Sequence, residues 1–300
     1  MKLPKLILID DLLKPVLMAH KRISDIFSKV QNQKLDELDR HGLFVLAVST
    51  LESMMNDVVI YLLNAIPQKL DLKEMTLTKD QLFNSFLVFD IIERLSQQET
   101  KAASYKNIEQ FIEYFCKITS LNNIFSQDKV DELREIKETR NLLLHNNLKV
   151  NDFYKTKAGP NIRKENSNGF LEINIKYLKK AVKCIQYFID KIHYHLKRKF
   201  HKYTKIHLLK STWNYCFDSP VMQFEDYWEL DTKKDEVIAL KKCKYEGGLS
   251  SGETSLLNLW RSLFTGNTEY LKKCWLQHLS SSYKEKAIFL LILSERTTLW

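Results

Sequence analysis

Glycine and proline are scarce in this sequence, with 7 Gly and 5 Pro among 300 residues. β-Sandwiches and glycine-rich α/β folds need many such residues in their turns, so the shortage argues against both classes. Hydrophobic residues make up 44% of the chain and charged residues 28%, a balance typical of globular rather than disordered proteins. The composition therefore predicts a mainly helical globular protein.

Closely spaced cysteine pairs and long apolar runs are also missing. The five cysteines lie 27 or more residues apart, which argues against a zinc finger and indicates a reducing compartment. The apolar runs at residues 6–9 and 287–293 are much shorter than the roughly 20 residues that cross a bilayer. We expect a cytoplasmic protein with no signal peptide, no membrane contact, no metal and no cofactor.

Apolar residues that recur at intervals of three and four predict the helices of the chain. The clearest pattern covers residues 41–66 and ends at Pro67. Ser126 is the expected N-cap of a helix over 129–144. Residues 146–168 have the composition of a loop, and 170–175 are expected to be extended. Further helices are predicted over 11–30, 79–96, 108–118 and 177–208.

The character of the chain changes after residue 210, because all five tryptophans lie beyond it. Helices are predicted there over residues 253–264, 269–279 and 283–293, and Ser250 with Glu253 forms a capping box for the first of them. We therefore predict two domains: residues 1–210, a helical bundle with an N-terminal helix, and residues 211–300, a smaller, mainly helical, Trp-rich accessory unit.

The most informative stretch runs from Arg140 to His145 near the end of a predicted helix. Arg140 lies on the apolar stripe of Leu133 and Ile136, where a guanidinium needs an acid, a carbonyl or a bound anion as partner. His145 is five residues on, about 140° around the helix, and Asn146 and Asn147 are suitable left-handed residues for the helix end.

Histidine is suited to proton transfer near neutral pH, and arginine can hold a phosphodiester as its negative charge develops. Together the two side chains are the minimum for metal-independent RNA cleavage, in which the ribose 2′-hydroxyl is the nucleophile.

The segment Arg140-Asn141-Leu142-Leu143-Leu144-His145 resembles the motif of the HEPN domain family: an arginine, a polar residue, and a histidine after four to six intervening positions. The earlier segment around Glu52 is also similar to that family. The resemblance covers roughly residues 40–205 and implies an all-α fold, an antiparallel four- to five-helix bundle.

The resemblance implies an endoribonuclease with Arg140, Asn141 and His145 as catalytic residues and Glu52 as a supporting candidate. It further implies a homodimer with a composite active site, RNA (including tRNA) as substrate, a toxin or anti-phage role, and a regulatory protein partner. Asn147 stands where family members controlled by a nucleotidyltransferase often have tyrosine, so that mode of control is not predicted.

The alternative is a non-catalytic HEPN-like module that binds RNA or a partner, or acts as a scaffold. In that case Arg140 and His145 only hold the core or an RNA ligand. In a purely structural interpretation, Arg140 pairs with a core acid such as Glu52, and His145 merely caps a helix.

The net charge of +9 is concentrated between Lys176 and Lys210. This segment contains eleven Lys and Arg residues and one acidic residue, Asp190. Such a stretch either follows an RNA backbone or is a solvated helix face. The candidate RNA-binding residues are Lys191, Lys197, Arg198, Lys199, Lys202 and Lys205.

Overall fold

The computed structural model describes residues 5–32, 34–71, 88–217, 222–240, 249–265, 268–272, 274 and 279–296. This part of the chain is mostly helical, which confirms the predicted all-α class. It forms two compact units, one of Leu12–Phe200 and one of Met1–Asp11 with His201–Trp300. The domain boundary predicted after residue 210 lies ten residues beyond this division, and the prediction left the N-terminal segment with the bundle.

The N-terminal segment belongs to the smaller unit because of its own contacts there. Leu8 is fully buried in the apolar core of that unit. The backbone N–H of Ile9 donates to the carbonyl of Tyr203 over 2.8 Å. Contacts between such distant parts of a chain leave no local pattern in the sequence.

The larger unit is a bundle built around one central helix. Its helices are α1 (Ile9–Asn32, whose first turn lies in the smaller unit), α2 (Glu37–Ala65), α3 (Val88–Ser104), α4 (Ile108–Thr119), α5 (Gln127–Asn146), α6 (Asp152–Lys157) and α7 (Ile175–Phe200). Helix α2 packs against α3, α4, α5 and α7. Its buried side chains, among them Phe44, Val48, Met55 and Val58, therefore form the middle of the core.

Both ends of α2 follow from local sequence. Asp36 accepts a hydrogen bond from the backbone N–H of Asp39 over 2.7 Å, and the Asp39 carboxylate accepts one from the backbone N–H of Asp36, which makes a capping box. The helix ends just before Pro67, as predicted, but begins four residues earlier than expected. Within the described residues, α2 is also the one helix long and apolar enough to cross a membrane, a test that core helices of globular proteins pass equally well.

Two helix predictions need correction. The predicted helix 269–279 is wrong in length, since the observed helix ends at Lys272. The predicted helix 177–208 is wrong as a single helix: α7 ends at Phe200, and α8 (Lys205–Cys216) begins after Thr204. The Thr204 hydroxyl accepts from the backbone N–H of His207 over 3.2 Å, so this residue caps a new helix instead of continuing the old one. Much of the predicted helix 79–96 lies outside the described residues.

The segment between α5 and α7 is tightly folded. Asn147 and Leu148 adopt positive φ angles of 45° and 64°, which ends α5 as predicted for Asn147. Ser126 stands at the N-cap of α5, but its hydroxyl makes no capping bond. The short helix α6 lies inside the predicted loop, and Lys149 forms an isolated antiparallel bridge with Phe170.

The smaller unit has a tryptophan-centred core. It contains α8, α9 (Phe224–Tyr227), α10 (Ser251–Thr265), α11 (Glu269–Lys272) and α12 (Ser281–Arg296). Strands β1 (Trp228–Asp231) and β2 (Glu236–Leu240) pair as an antiparallel hairpin that was not predicted. Trp213, Trp228 and Trp260 are fully buried, with ring centroids of Trp213 and Trp260 5.3 Å apart. The predicted capping box is confirmed, since the Ser250 N–H donates to Glu253 over 2.8 Å.

Candidate active site

A cavity of about 630 Å³ lies beside the C-terminal half of α5, within the larger unit. Side chains of α2, the end of α3 and the turn after it, α5, and α6 form its walls. All four residues predicted as catalytic line it: Arg140, Asn141 and His145 from α5 and Glu52 from α2. The structure therefore brings these four side chains to one place.

Glu52 holds two cations of α5 at the back of the cavity. Arg140 donates from Nη2 to Oε2 of Glu52, and Lys137 Nζ lies 3.1 Å from Oε1. The side chains of Lys137, Arg140 and Glu52 are 8%, 15% and 20% exposed. Because one carboxylate serves two cations in a poorly solvated place, the cluster keeps one positive charge in excess.

Arg140 has donor capacity left after pairing with Glu52. Its Nε atom is buried and has no hydrogen-bond partner among the described residues. The same holds for Oδ1 of Asn56, a second α2 side chain on the cavity wall. Buried polar atoms without a partner cost stability, and these two belong to side chains that line the same cavity.

Asn141 and His145 are held less firmly than Arg140. The Asn141 amide lies 3.4 Å from Oε2 of Glu138, longer than an ordinary N–H to oxygen hydrogen bond. His145 is exposed in the last turn of α5, and its ring bonds to no other side chain of the described part of the chain. Its imidazole is therefore accessible from the cavity.

The cavity is strongly cationic. Its lining contains five cationic side chains against the two carboxylates Glu52 and Glu138, which gives a net charge of +3 with His145 neutral. Three of the cations, Lys101, Lys106 and Lys157, are exposed at the rim. Such an excess attracts a polyanion.

The sequence interpretation missed the rim residues. Lys101 and Lys106 lie on either side of the end of α3, and Lys157 ends the unpredicted helix α6. Each is an ordinary surface lysine in its own segment, so the local sequence carried no signal for the group.

A buried carboxylate fixes α5 relative to the helices around the cavity. Glu135 accepts hydrogen bonds from Tyr154 of α6 over 3.0 Å, from Tyr177 of α7 over 2.9 Å and from Thr139. Burial, helped by the negative charge of Glu135, raises the pKa of Tyr154 to about 12 and that of Tyr177 well above its ordinary value. Both phenols therefore stay protonated donors at neutral pH. Two bonds, from Tyr154 and Tyr177, hold the rotation of α5 that turns Arg140 and His145 to the cavity, because the bond from Thr139 lies within α5 itself.

The six candidate RNA-binding residues do not line this cavity. Lys191, Lys197, Arg198 and Lys199 lie on α7, whereas Lys202 and Lys205 belong to the smaller unit. Lys199 donates to the carbonyl of Ser120, and burial lowers its pKa. For Lys199 the structure thus shows a contact within the bundle; a role of these residues with RNA stays a prediction.

Comparison of this chain with known proteins identified no relative. Family models, curated proteins and solved structures all gave no match to this chain. Among the residues that the structure describes, no group of three or more His, Cys, Asp or Glu side chains could hold a metal ion.

Proposed function

We propose that this chain is a metal-independent endoribonuclease of the HEPN type. The observation that carries the proposal is the shared cavity of Arg140, Asn141 and His145, whose lining has a net positive charge. A phosphodiester is the anion that such a site would receive, and RNA is the phosphodiester that carries its own nucleophile, the 2′-hydroxyl. Both the charge and the proton-transfer group that this reaction needs are thus in one place.

In the proposed reaction, His145 takes the proton of the ribose 2′-hydroxyl while that oxygen attacks the adjacent phosphorus. The bond from phosphorus to the 5′-oxygen then breaks, and a protonated His145 donates a proton to that oxygen. The products are a 2′,3′-cyclic phosphate and a free 5′-hydroxyl. Arg140 would bind the non-bridging oxygens through the N–H groups that Glu52 leaves free, with Glu52 holding the guanidinium and Asn141 orienting phosphate or imidazole.

The assembly and setting of this activity follow from the resemblance of the Arg140–His145 segment. We propose a homodimer in which two copies bring their motifs together, acting on RNA, tRNA included, in the cytoplasm. A toxin or anti-phage role with a regulatory protein partner fits such an activity. The smaller unit would sense a trigger, bind that partner or stabilise the dimer.

One observation favours a second function. Arg140 pairs with Glu52, as a purely structural arginine would. The cavity would then belong to a non-catalytic module that binds RNA or a partner through its lysines. The two functions differ in what they require of His145, which transfers protons in the first and at most caps α5 or contacts RNA in the second.

Cleavage of labelled tRNA and of a mixed single-stranded RNA in EDTA tests the proposal. Wild-type chain is compared with Arg140→Ala and His145→Ala, and with His41→Ala as a matched histidine of the larger unit outside the cavity. We expect wild type and His41→Ala to leave 2′,3′-cyclic phosphate ends, and the two site variants to lose about 100-fold or more in rate. Circular dichroism and sedimentation confirm that each variant is folded and assembled.

Two results would overturn the proposal. One is folded wild-type chain that binds these RNAs and cuts none of them, which supports the binding module. The other is equal cutting by wild type, Arg140→Ala and His145→Ala, which removes these residues from the reaction.

A further inference from the structure

Two large aromatic side chains stand exposed on the rim of the cavity that holds Arg140 and His145. Tyr105 is 79% exposed and Phe153 is 63% exposed. A single exposed ring on a protein surface needs no explanation. Two rings at one cationic cavity, brought there from segments 48 residues apart in sequence, indicate a ligand with flat apolar faces.

Both rings are carried by well-held backbone. The N–H of Tyr105 donates to the carbonyl of Lys101, and the side chain of Asn107, two residues on, caps α4 by accepting from Gln110 over 2.8 Å. Phe153 lies on α6, which is capped by Asn151 and anchored through its neighbour Tyr154 to Glu135. Rings on fixed backbone can bind a ligand at little cost in conformational entropy.

Each ring also has cations beside it in sequence or in space. Lys157 Nζ lies over one face of the Phe153 ring, 4.0 Å from its centroid, so a base would stack on the opposite face. Lys106 follows Tyr105 directly, and Lys101 lines the same wall. An aromatic ring with a lysine nearby can bind one nucleotide, because the base can stack on the ring and the phosphate can pair with the lysine.

Base pairing decides whether an RNA can use these rings. In an A-form duplex the bases are stacked and paired, and the deep, narrow major groove excludes side chains. Unpaired nucleotides can turn their bases outward onto aromatic side chains.

We propose that Tyr105 and Phe153 stack on the bases of unpaired nucleotides, with Lys101, Lys106 and Lys157 on the adjoining phosphates. The cavity thereby selects unpaired RNA over duplex RNA. The inference deepens the proposed function, on which it rests for what happens to the phosphate between those bases.

Binding by the 300-residue His145→Ala chain tests this selection apart from cleavage. The probe is a short unpaired RNA with 2-aminopurine at single positions, whose fluorescence reports stacking, and affinity is followed by anisotropy. Tyr105→Ala and Phe153→Ala are each expected to weaken binding about 5- to 100-fold and to remove the stacking signal. Tyr105→Phe and Phe153→Tyr should keep both, because the ring remains.

Leu38→Ala is the matched control, since Leu38 is an equally exposed apolar side chain, 80% accessible, that does not line the cavity. It should bind as the parent chain does. The same RNA annealed to its complement should bind more weakly and show no response to either alanine substitution. Polyglutamate, a polyanion without bases, is added as a competitor of the RNA. It tests whether negative charge alone is enough for binding.

Three results would overturn the inference: alanine variants that bind unpaired RNA as the parent does, duplex that binds as well as the single strand, or polyglutamate that displaces the RNA at matched charge. The nuclease proposal fails separately. If the His145→Ala chain binds with the stacking signal but wild type cuts no RNA, the inference stands without the nuclease. If wild type cuts and the alanine variants bind and cut equally well, only the inference fails.

Discussion

At the scale of single residues, the position of Arg140 on an apolar stripe predicted a partner, and the structure provides Glu52. The sequence could suggest this pair because both residues lie on helices with clear apolar faces. It could not show that Lys137 shares the carboxylate, since a lysine on a helix is normally solvated. Only the packing of α5 on α2 buries the Lys137 side chain to 8% exposure.

The shared carboxylate makes Glu52 more important for stability than Arg140. Glu52→Ala leaves Lys137 and Arg140 without a counter-charge in a poorly solvated place, and should lower the free energy of unfolding by about 2–3 kcal/mol. Arg140→Ala leaves the pair of Glu52 and Lys137 intact, so its cost should stay below about 1 kcal/mol. Urea denaturation followed by circular dichroism measures both.

Glu165→Ala gives the baseline for an exposed ion pair. Glu165 pairs with Lys155 at 3.3 Å on the surface, where such pairs contribute about 0–1 kcal/mol. Equal losses for Glu52→Ala and Arg140→Ala would contradict the shared-carboxylate argument.

At the scale of elements, long helices with a regular apolar stripe were predictable and short elements were not. The central helix α2, the helices α4 and α5, and the start of α7 follow from periodicity and from residues such as Pro67 and Asn147. Helix α6 has only six residues, fewer than two turns, so it shows no period. The hairpin β1–β2 has strands of four and five residues and is equally short. The missed α6 is the element that carries Phe153 and Lys157 to the cavity.

The hydrogen bonds to Glu135 tie α6 and α7 to α5, so their loss should be measurable. Tyr177→Phe and Tyr154→Phe each remove one O–H donor and leave a lone pair of a buried carboxylate unsatisfied. We expect each to lower the free energy of unfolding by about 1–3 kcal/mol.

Tyr194→Phe is the control for these two changes, because Tyr194 lies on α7 and is 58% exposed. It should be neutral within about 0.5 kcal/mol. If Tyr177→Phe is as stable as Tyr194→Phe in the same denaturation experiment, the network does not hold α5 in place.

At the scale of the whole molecule, the fold class and the grouping of the four candidate residues were predictable, whereas the position of the charge was not. The candidate residues of α5 share one helix, so spacing alone sets their relation to one another. The cationic rim combines the end of α3, the turn after it and α6, and only tertiary packing brings these segments together. The lysines between residues 176 and 210 suggested an RNA-binding surface there, and those named as candidates do not line the cavity. The total charge of a segment does not show which cavity its side chains line.

Arg140 and His145 of one chain line the same cavity, yet they leave α5 about 140° apart. We therefore expect a second copy across a two-fold axis to bring its own His145 to the Arg140 of the first. Leu144, 53% exposed next to His145, is an apolar side chain that such a copy would cover. If each site takes Arg140 from one copy and His145 from the other, two inactive variants can complement each other.

Mixing Arg140→Ala with His145→Ala should therefore restore activity. After unfolding and refolding together, about half of the dimers are mixed and each mixed dimer has one intact site, so about a quarter of wild-type cleavage is expected. The rate on labelled single-stranded RNA measures this, with each variant refolded alone as the control. A mixture that forms mixed dimers, shown by differently tagged copies purifying together, but stays as inactive as either variant would place Arg140 and His145 of each site in the same chain.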